Sequence, residues 1–95
     1  MNKIVNSNVS YGYVPVELVN SSEISLKAKG LYACLTLNLP EDGHMSISML
    51  ASINKDGIAS IESGLRELEA AGYLVRTRKN DSRGCFCTVY ELKDN

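Results

Sequence analysis

The sequence predicts a small α+β fold, a three-helix core followed by a C-terminal β-hairpin. Three observations predict it. Apolar residues recur at three- and four-residue spacing from Leu26 and again from Ile61, which is the period of a helix with a buried face. The string NKDG at 54–57 is turn chemistry between two helical stretches. From residue 73 to 92, branched and aromatic residues alternate on either side of a polar NDSRG segment, as in a hairpin. The chain has 95 residues, enough for one domain, and its 44% apolar content can fill a core. The expected organisation is a flexible segment over 1–10, a domain over 11–92 and a tail over 93–95.

Residues 1–10 are polar, rich in Asn and Ser, and expected to fray. The following stretch is aromatic and branched, but Pro15 limits it to an extended lead-in or an edge strand, with a brief helical turn over 16–19. The first long helix starts at Ser25, a good N-cap, with Ile24 as the staple residue. Leu26, Gly30, Ala33 and Leu37 form one apolar stripe and Leu31, Cys34, Leu35 and Asn38 a neighbouring one, so burial over much of the helix is expected. Gly30 costs about 1 kcal/mol relative to Ala inside a helix, which suggests a close backbone approach there. Pro40 ends the segment, and Glu41, Asp42 and Gly43 make a loop.

Met45 adds a short extended rung. Ser46 caps the second helix, whose inward residues are expected to be Ile47, Leu50, Ala51 and Ile53. The third helix is expected over 58–71, with Ile61, Leu65 and Leu68 inward and Gly72 as the left-handed residue after its end. A strand over 73–79, a loop over 80–84 and a return strand over 85–92 complete the chain.

The net charge is -1, so placement matters more than total. Between residues 76 and 83 stand Arg76, Arg78, Lys79 and Arg83, with Asp81 as the sole acid. A basic ribbon on a near-neutral body suits modest, salt-sensitive DNA binding, and it equally suits a protein-binding module. No run of about 18 apolar residues is present, so no membrane span is expected. The first residues lack the apolar stretch of a secretory signal, and three cysteines cannot all pair within the chain. A reduced, cytoplasmic setting is the resulting expectation.

A helix-turn-helix followed by a hairpin is the layout of a winged helix, in which one helix and one ribbon lie side by side against DNA. In that layout Ser60 and Ser63 of the third helix meet base edges or phosphates, and Arg66 is suited to guanine. Lys55 lies in the turn near the backbone, and Arg76, Arg78, Lys79 and Arg83 lie along phosphates. The bland alternative is that Arg66 pairs with Glu62 or Glu69 on the helix surface, and that the ribbon's bases merely protect a strand edge.

Other constellations are weaker. Cys34, His44, Cys85 and Cys87 could be assembled into a zinc site, but their spacing matches no common pattern, and no metal or cofactor is expected. Cys34 with His44 could be a nucleophile and base, but no third group orients them, and Glu41 and Asp42 read as loop acids without a partner. No enzyme is therefore expected. Tyr11, Tyr13 and Tyr32 read as core and rim packing. Val9, Tyr11, Tyr13 and Val14 are candidates for an apolar contact between copies.

The strings LKAKGLYACL (26–35), ISMLA (47–51) and IESGLRELEAAGYL (61–74) resemble the helix-turn-helix domains of phage and plasmid replication proteins. These include replisome organisers and the N-terminal winged helix of DnaD-like primosome proteins. The resemblance spans about residues 11–92. It implies double-stranded DNA binding through the third helix and the wing, a role in replication or transcription control, and self-association as a homodimer through the N-terminal segment and first helix. The alternative it leaves is a winged helix that meets protein rather than DNA.

Overall fold

The computed structural model describes residues 11–80 and 83–94. Four helices and two antiparallel strands follow in order: α1 Val16–Val19, α2 Leu26–Asn38, α3 Ile47–Ser52, α4 Ile58–Ala70, β1 Leu74–Asn80 and β2 Phe86–Leu92. The architecture is α+β, and among the described residues no helix is long and apolar enough to cross a membrane. Residues 1–10, expected to fray, lie outside the described residues, as do 81, 82 and 95 of the expected loop and tail.

The caps read from the sequence form. The Ser25 hydroxyl accepts from Ala28 N–H at 3.2 Å, and the Ser46 hydroxyl accepts from Met49 N–H at 3.1 Å. Ser25 is also held from outside its own helix. Its N–H donates to Glu67 Oε1 at 2.5 Å and its hydroxyl to Glu67 Oε2 at 2.8 Å. This is the logic of a capping box, with the carboxylate supplied by α4 instead of by the first turn of α2. Those bonds hold the Glu67 carboxyl below its usual range.

At the far end of α4, Gly72 takes φ +87°. Tyr73 N–H reaches Leu68 C=O at 2.9 Å and Gly72 N–H reaches Glu69 C=O at 3.1 Å. That pair of bonds is the Schellman motif, and the buried Leu68 and Tyr73 supply its usual apolar contact. It reverses the chain straight into β1, so the hairpin starts against the end of α4.

The strands pair with Leu74 opposite Leu92, Arg76 opposite Tyr90, Arg78 opposite Thr88 and Lys79 opposite Cys87. A third rung comes from the loop before α3, where His44 bridges Val89. Gly43 C=O accepts from Tyr90 N–H at 2.7 Å and Met45 N–H donates to Thr88 C=O at 3.3 Å. Gly43 sits at φ +78°, and a Cβ there would strike the Tyr90 carbonyl and Val89. The extended rung expected at Met45 is thus present, centred one residue earlier.

The core joins Leu18, Leu35, Leu50, Ile61, Leu65 and Leu68, all fully buried, with Tyr32, Tyr73 and Tyr90 at its edge. The Tyr32 hydroxyl donates to Lys93 C=O at 3.0 Å, and its ring meets Tyr73 edge-on at 6.2 Å.

Several expectations are corrected. The buried stripe of α2 is Ala28, Leu31, Tyr32 and Leu35, while Leu26 is 86% exposed and Leu37 is also exposed. Too few elements surround α2 to cover both stripes. Ile53 is exposed because α3 ends before it. Tyr11 and Tyr13 are exposed rather than packed. Nothing lies within 4 Å of a Cβ built at Gly30, so no backbone approaches it. The close approach occurs at Gly64, which is buried against Leu31 and the Lys27 stem of α2.

The two glycines should therefore respond in opposite directions. Gly30→Ala is expected to stabilise by about 0.5–1 kcal/mol, because the exposed helical site gains propensity without a clash. Gly64→Leu is expected to destabilise by about 1–3 kcal/mol through overpacking of the α2–α4 contact. Thermal or urea melts of the two variants check both signs.

Candidate nucleic-acid interface

Helix α4 presents four sides, set by its 3.6-residue period. Ile61, Leu65 and Leu68 face the core. Ser60, Gly64 and Glu67 face α2, as the Glu67–Ser25 bonds require. Glu62 and Glu69 face the hairpin. Ala59, Ser63, Arg66 and Ala70 form the exposed ridge.

The hairpin side is closed by one guanidinium. Arg76 Nη1 donates to Glu62 Oε1 at 2.9 Å, while its Nη2 donates to Glu62 Oε2 at 3.1 Å and to Glu69 Oε1 at 2.7 Å. The same group lies 5.7 Å from the centre of the Tyr90 ring. The planar fork of Arg suits a bidentate carboxylate contact of this kind. Only 14% of the Arg76 side chain is exposed. The hydrogen bonds from Arg76, and then that from Arg66, hold the Glu62 carboxyl down at about 2. The Glu62 and Glu69 contacts in turn raise Arg76 above its ordinary value.

The expected site residues divide accordingly. Arg76 is directed at α4 and Tyr90, not outward along the hairpin, because two carboxylates on the neighbouring helix claim its donors. Arg66 projects from the ridge, 76% exposed, and its Nε donates to Glu62 Oε2 at 2.7 Å. Glu62 thus gathers Arg66 and Arg76, and the helix-surface pairing weighed from the sequence is present. Ser63 stands on the exposed ridge, whereas Ser60 is half-buried on the α2 side. Lys55 is exposed in the turn before α4.

Beyond Arg76 the hairpin extends past the core. Arg78, on the same face, lies over the exposed Phe86 ring at 4.9 Å. Lys79 is exposed on the opposite face, because successive strand residues alternate. Arg83 is exposed near the tip. The ribbon's bases are therefore distributed over both faces and the tip. Among the described residues no group of three or more His, Cys, Asp or Glu is arranged so that it could hold a metal ion. Cys34 lies beside Asn38 and Asn54, whereas Cys87 meets His44.

Sequence reading missed two features here. The sequence groups Arg76 with the other ribbon bases, and its period-two placement beside Leu74 is the signal for an inward role. Asp42, expected to be a loop acid without a partner, meets His44 Nδ1 through Oδ2 at 2.9 Å and accepts from His44 N–H through Oδ1 at 3.0 Å.

Two outcomes follow from the Arg76 network. Arg76→Met retains the apolar stem but leaves Glu62 and Glu69 without their shared partner, and is expected to cost on the order of 2–3 kcal/mol in a urea melt. The Glu62 carboxyl is depressed in the folded chain, so its contribution is complete above the ordinary value of 4.5 and is lost as pH falls from there towards about 2. A melting-temperature profile across that window should fall for the parent chain and flatten in part for Glu62→Gln.

Searches against family models, curated proteins and solved structures find no match to this chain.

Proposed function

We propose that the chain is a winged helix that binds double-stranded DNA, with α4 as the groove-facing helix and the β1–β2 hairpin as the wing. The observation that carries the reading is the fixed juxtaposition of α4 and the hairpin through Arg76, Glu62 and Glu69. It holds α4, which carries Ser63 and Arg66, against the hairpin that carries Arg78, Lys79 and Arg83. The order of elements supports the same reading: helix, rung, helix, turn, helix and hairpin.

In this reading the acids of α4 do not oppose DNA as strongly as their number suggests. Glu62 and Glu69 hold Arg76, and Glu67 caps α2. The exposed Arg66–Glu62 pair is worth only about 0–1 kcal/mol, so Arg66 can leave it for a base edge while Glu62 keeps Arg76. Lys55, Arg78, Lys79 and Arg83 would position the module on phosphates without reading sequence. The resemblance to phage and plasmid replication proteins supports a regulator of replication or transcription acting as a homodimer.

Fluorescence anisotropy with a labelled duplex, titrated across salt concentrations, tests the reading. A plot of log affinity against log salt is expected to slope downward, and Arg78→Ala with Lys79→Ala should make the slope shallower by about 2. A flat plot that the double variant leaves unchanged overturns it.

A second reading is favoured by the apolar stripe that α2 leaves uncovered. Leu26, Gly30, Ala33 and Leu37 are self-complementary about the helix midpoint, since reversal pairs Leu26 with Leu37 and Gly30 with Ala33. Such a stripe fits a two-fold contact between copies, with or without DNA. Sedimentation at rising concentration should show a dimer that Leu26→Glu abolishes. A monomer at every concentration removes this reading.

A further inference from the structure

The loop over 40–45 and strand β2 bring Asp42 and His44 together with a thiol 43 residues further along the chain. Asp42 Oδ2 meets His44 Nδ1 at 2.9 Å, and His44 Nε2 meets Cys87 Sγ at 3.3 Å. The arrangement is held at both ends by backbone. Gly43 N–H closes the turn on Pro40 C=O at 2.9 Å, and the Gly43–Tyr90 and Met45–Thr88 bonds pin the loop to β2 on either side of His44. Asp42 accepts from both the backbone and the ring of His44, which fixes the ring's orientation and holds the Asp42 carboxyl low, in its anionic form. With Nδ1–H given to Asp42, the Nε2 lone pair faces the thiol. A nucleophile, a base and a group that orients the base are thus in contact in sequence order Asp42, His44, Cys87.

The surroundings suit reactivity. His44 is 49% exposed and Cys87 is half-buried, so a small molecule can reach the sulfur. Lys79 stands directly opposite Cys87 in the register, on the same sheet face, and adds a positive charge beside the thiol. A cleft of about 340 Å³ opens there, lined by Met49, Phe86 and Thr88 as well as His44 and Cys87.

We propose that Cys87 is a thiol–disulfide exchange site, with His44 as its base, Asp42 as the residue that positions His44, and a low-molecular-weight disulfide such as oxidised glutathione as the substrate. Cys87 Sγ–H passes its proton to His44 Nε2. The thiolate attacks one sulfur of the disulfide, a new S–S bond forms to Cys87, and the original S–S bond breaks. The departing thiolate takes the proton from His44. The products are one mixed disulfide on Cys87 and one free small thiol, and no further oxidant is consumed. This inference stands apart from the DNA reading, since Asp42, His44 and Cys87 belong neither to α4 nor to the basic residues of the ribbon.

The full chain, incubated with oxidised glutathione, is sampled over time, and peptide mapping reads Cys34, Cys85 and Cys87 separately. Cys87 is expected to react first. His44→Gln is expected to slow Cys87 by about tenfold at neutral pH, since the thiol then loses its proton without a neighbouring base. Asp42→Asn is expected to slow Cys87 in the same sense, and Asp42→Glu to restore part of the rate. Asp42 and His44 are exposed, and matching circular dichroism melts verify that the variants fold. A Cys87 rate no greater than that of Cys34 or Cys85, or a rate indifferent to His44→Gln, overturns the proposal. The comparison of the three cysteines in the parent chain decides alone should a variant fail to fold.

Discussion

The Arg76 guanidinium between Glu62 and Glu69 is the constraint on which the arrangement of helix and hairpin depends. A two-stranded hairpin is marginal by itself in water and takes its stability from what it packs against. Here Leu74, Tyr90 and Leu92 anchor one end to the core, and Arg76 ties β1 to α4. Three donors from a rigid plane meet two carboxylates two helical turns apart. This fixes the angle of the hairpin as well as its distance. A lysine would supply the charge without that geometry.

The same network changes the meaning of the chain's charge. A net charge of -1 describes the sum and hides the distribution. The three glutamates of α4 that follow its first turn are each engaged within the molecule: Glu62 and Glu69 with Arg76, and Glu67 with the N-terminus of α2. Their carboxylates hold neighbouring elements in place, while Arg78 and Lys79 remain at the solvent-facing end of the ribbon. Acids near the centre and bases at the periphery give a local field that a whole-chain count averages away.

Small size accounts for what is left uncovered. A domain of this length buries a smaller fraction of its surface than a larger one does, and α2 has neighbours on only part of its circumference. The stripe of Ala28, Leu31, Tyr32 and Leu35 meets α4 and the hairpin, and the stripe of Leu26, Gly30 and Leu37 meets solvent. Periodicity alone gives Leu26, Gly30, Ala33 and Leu37 as one stripe and Leu31, Cys34, Leu35 and Asn38 as the other. It had no means of ranking them, because the choice depends on where α4 lies, and that is set by Gly64 admitting Leu31 and by Glu67 reaching Ser25.

Sequence by itself determined the elements, their order and their ends. Ser25, Ser46 and Gly72 act through bonds to residues within a few positions, so their roles are local and legible. The inward row of Ile61, Leu65 and Leu68 followed from period alone. Tertiary structure alone decided the partners. Arg76 joins Glu62 across 14 residues, Glu67 joins Ser25 across 42, and Cys87 joins His44 across 43. Each of these contacts requires a particular crossing of separate elements, and no spacing along the chain encodes it. Local bonding is written in adjacent residues, whereas the pairing of distant charged and polar groups emerges only after the apolar core has set the elements against one another.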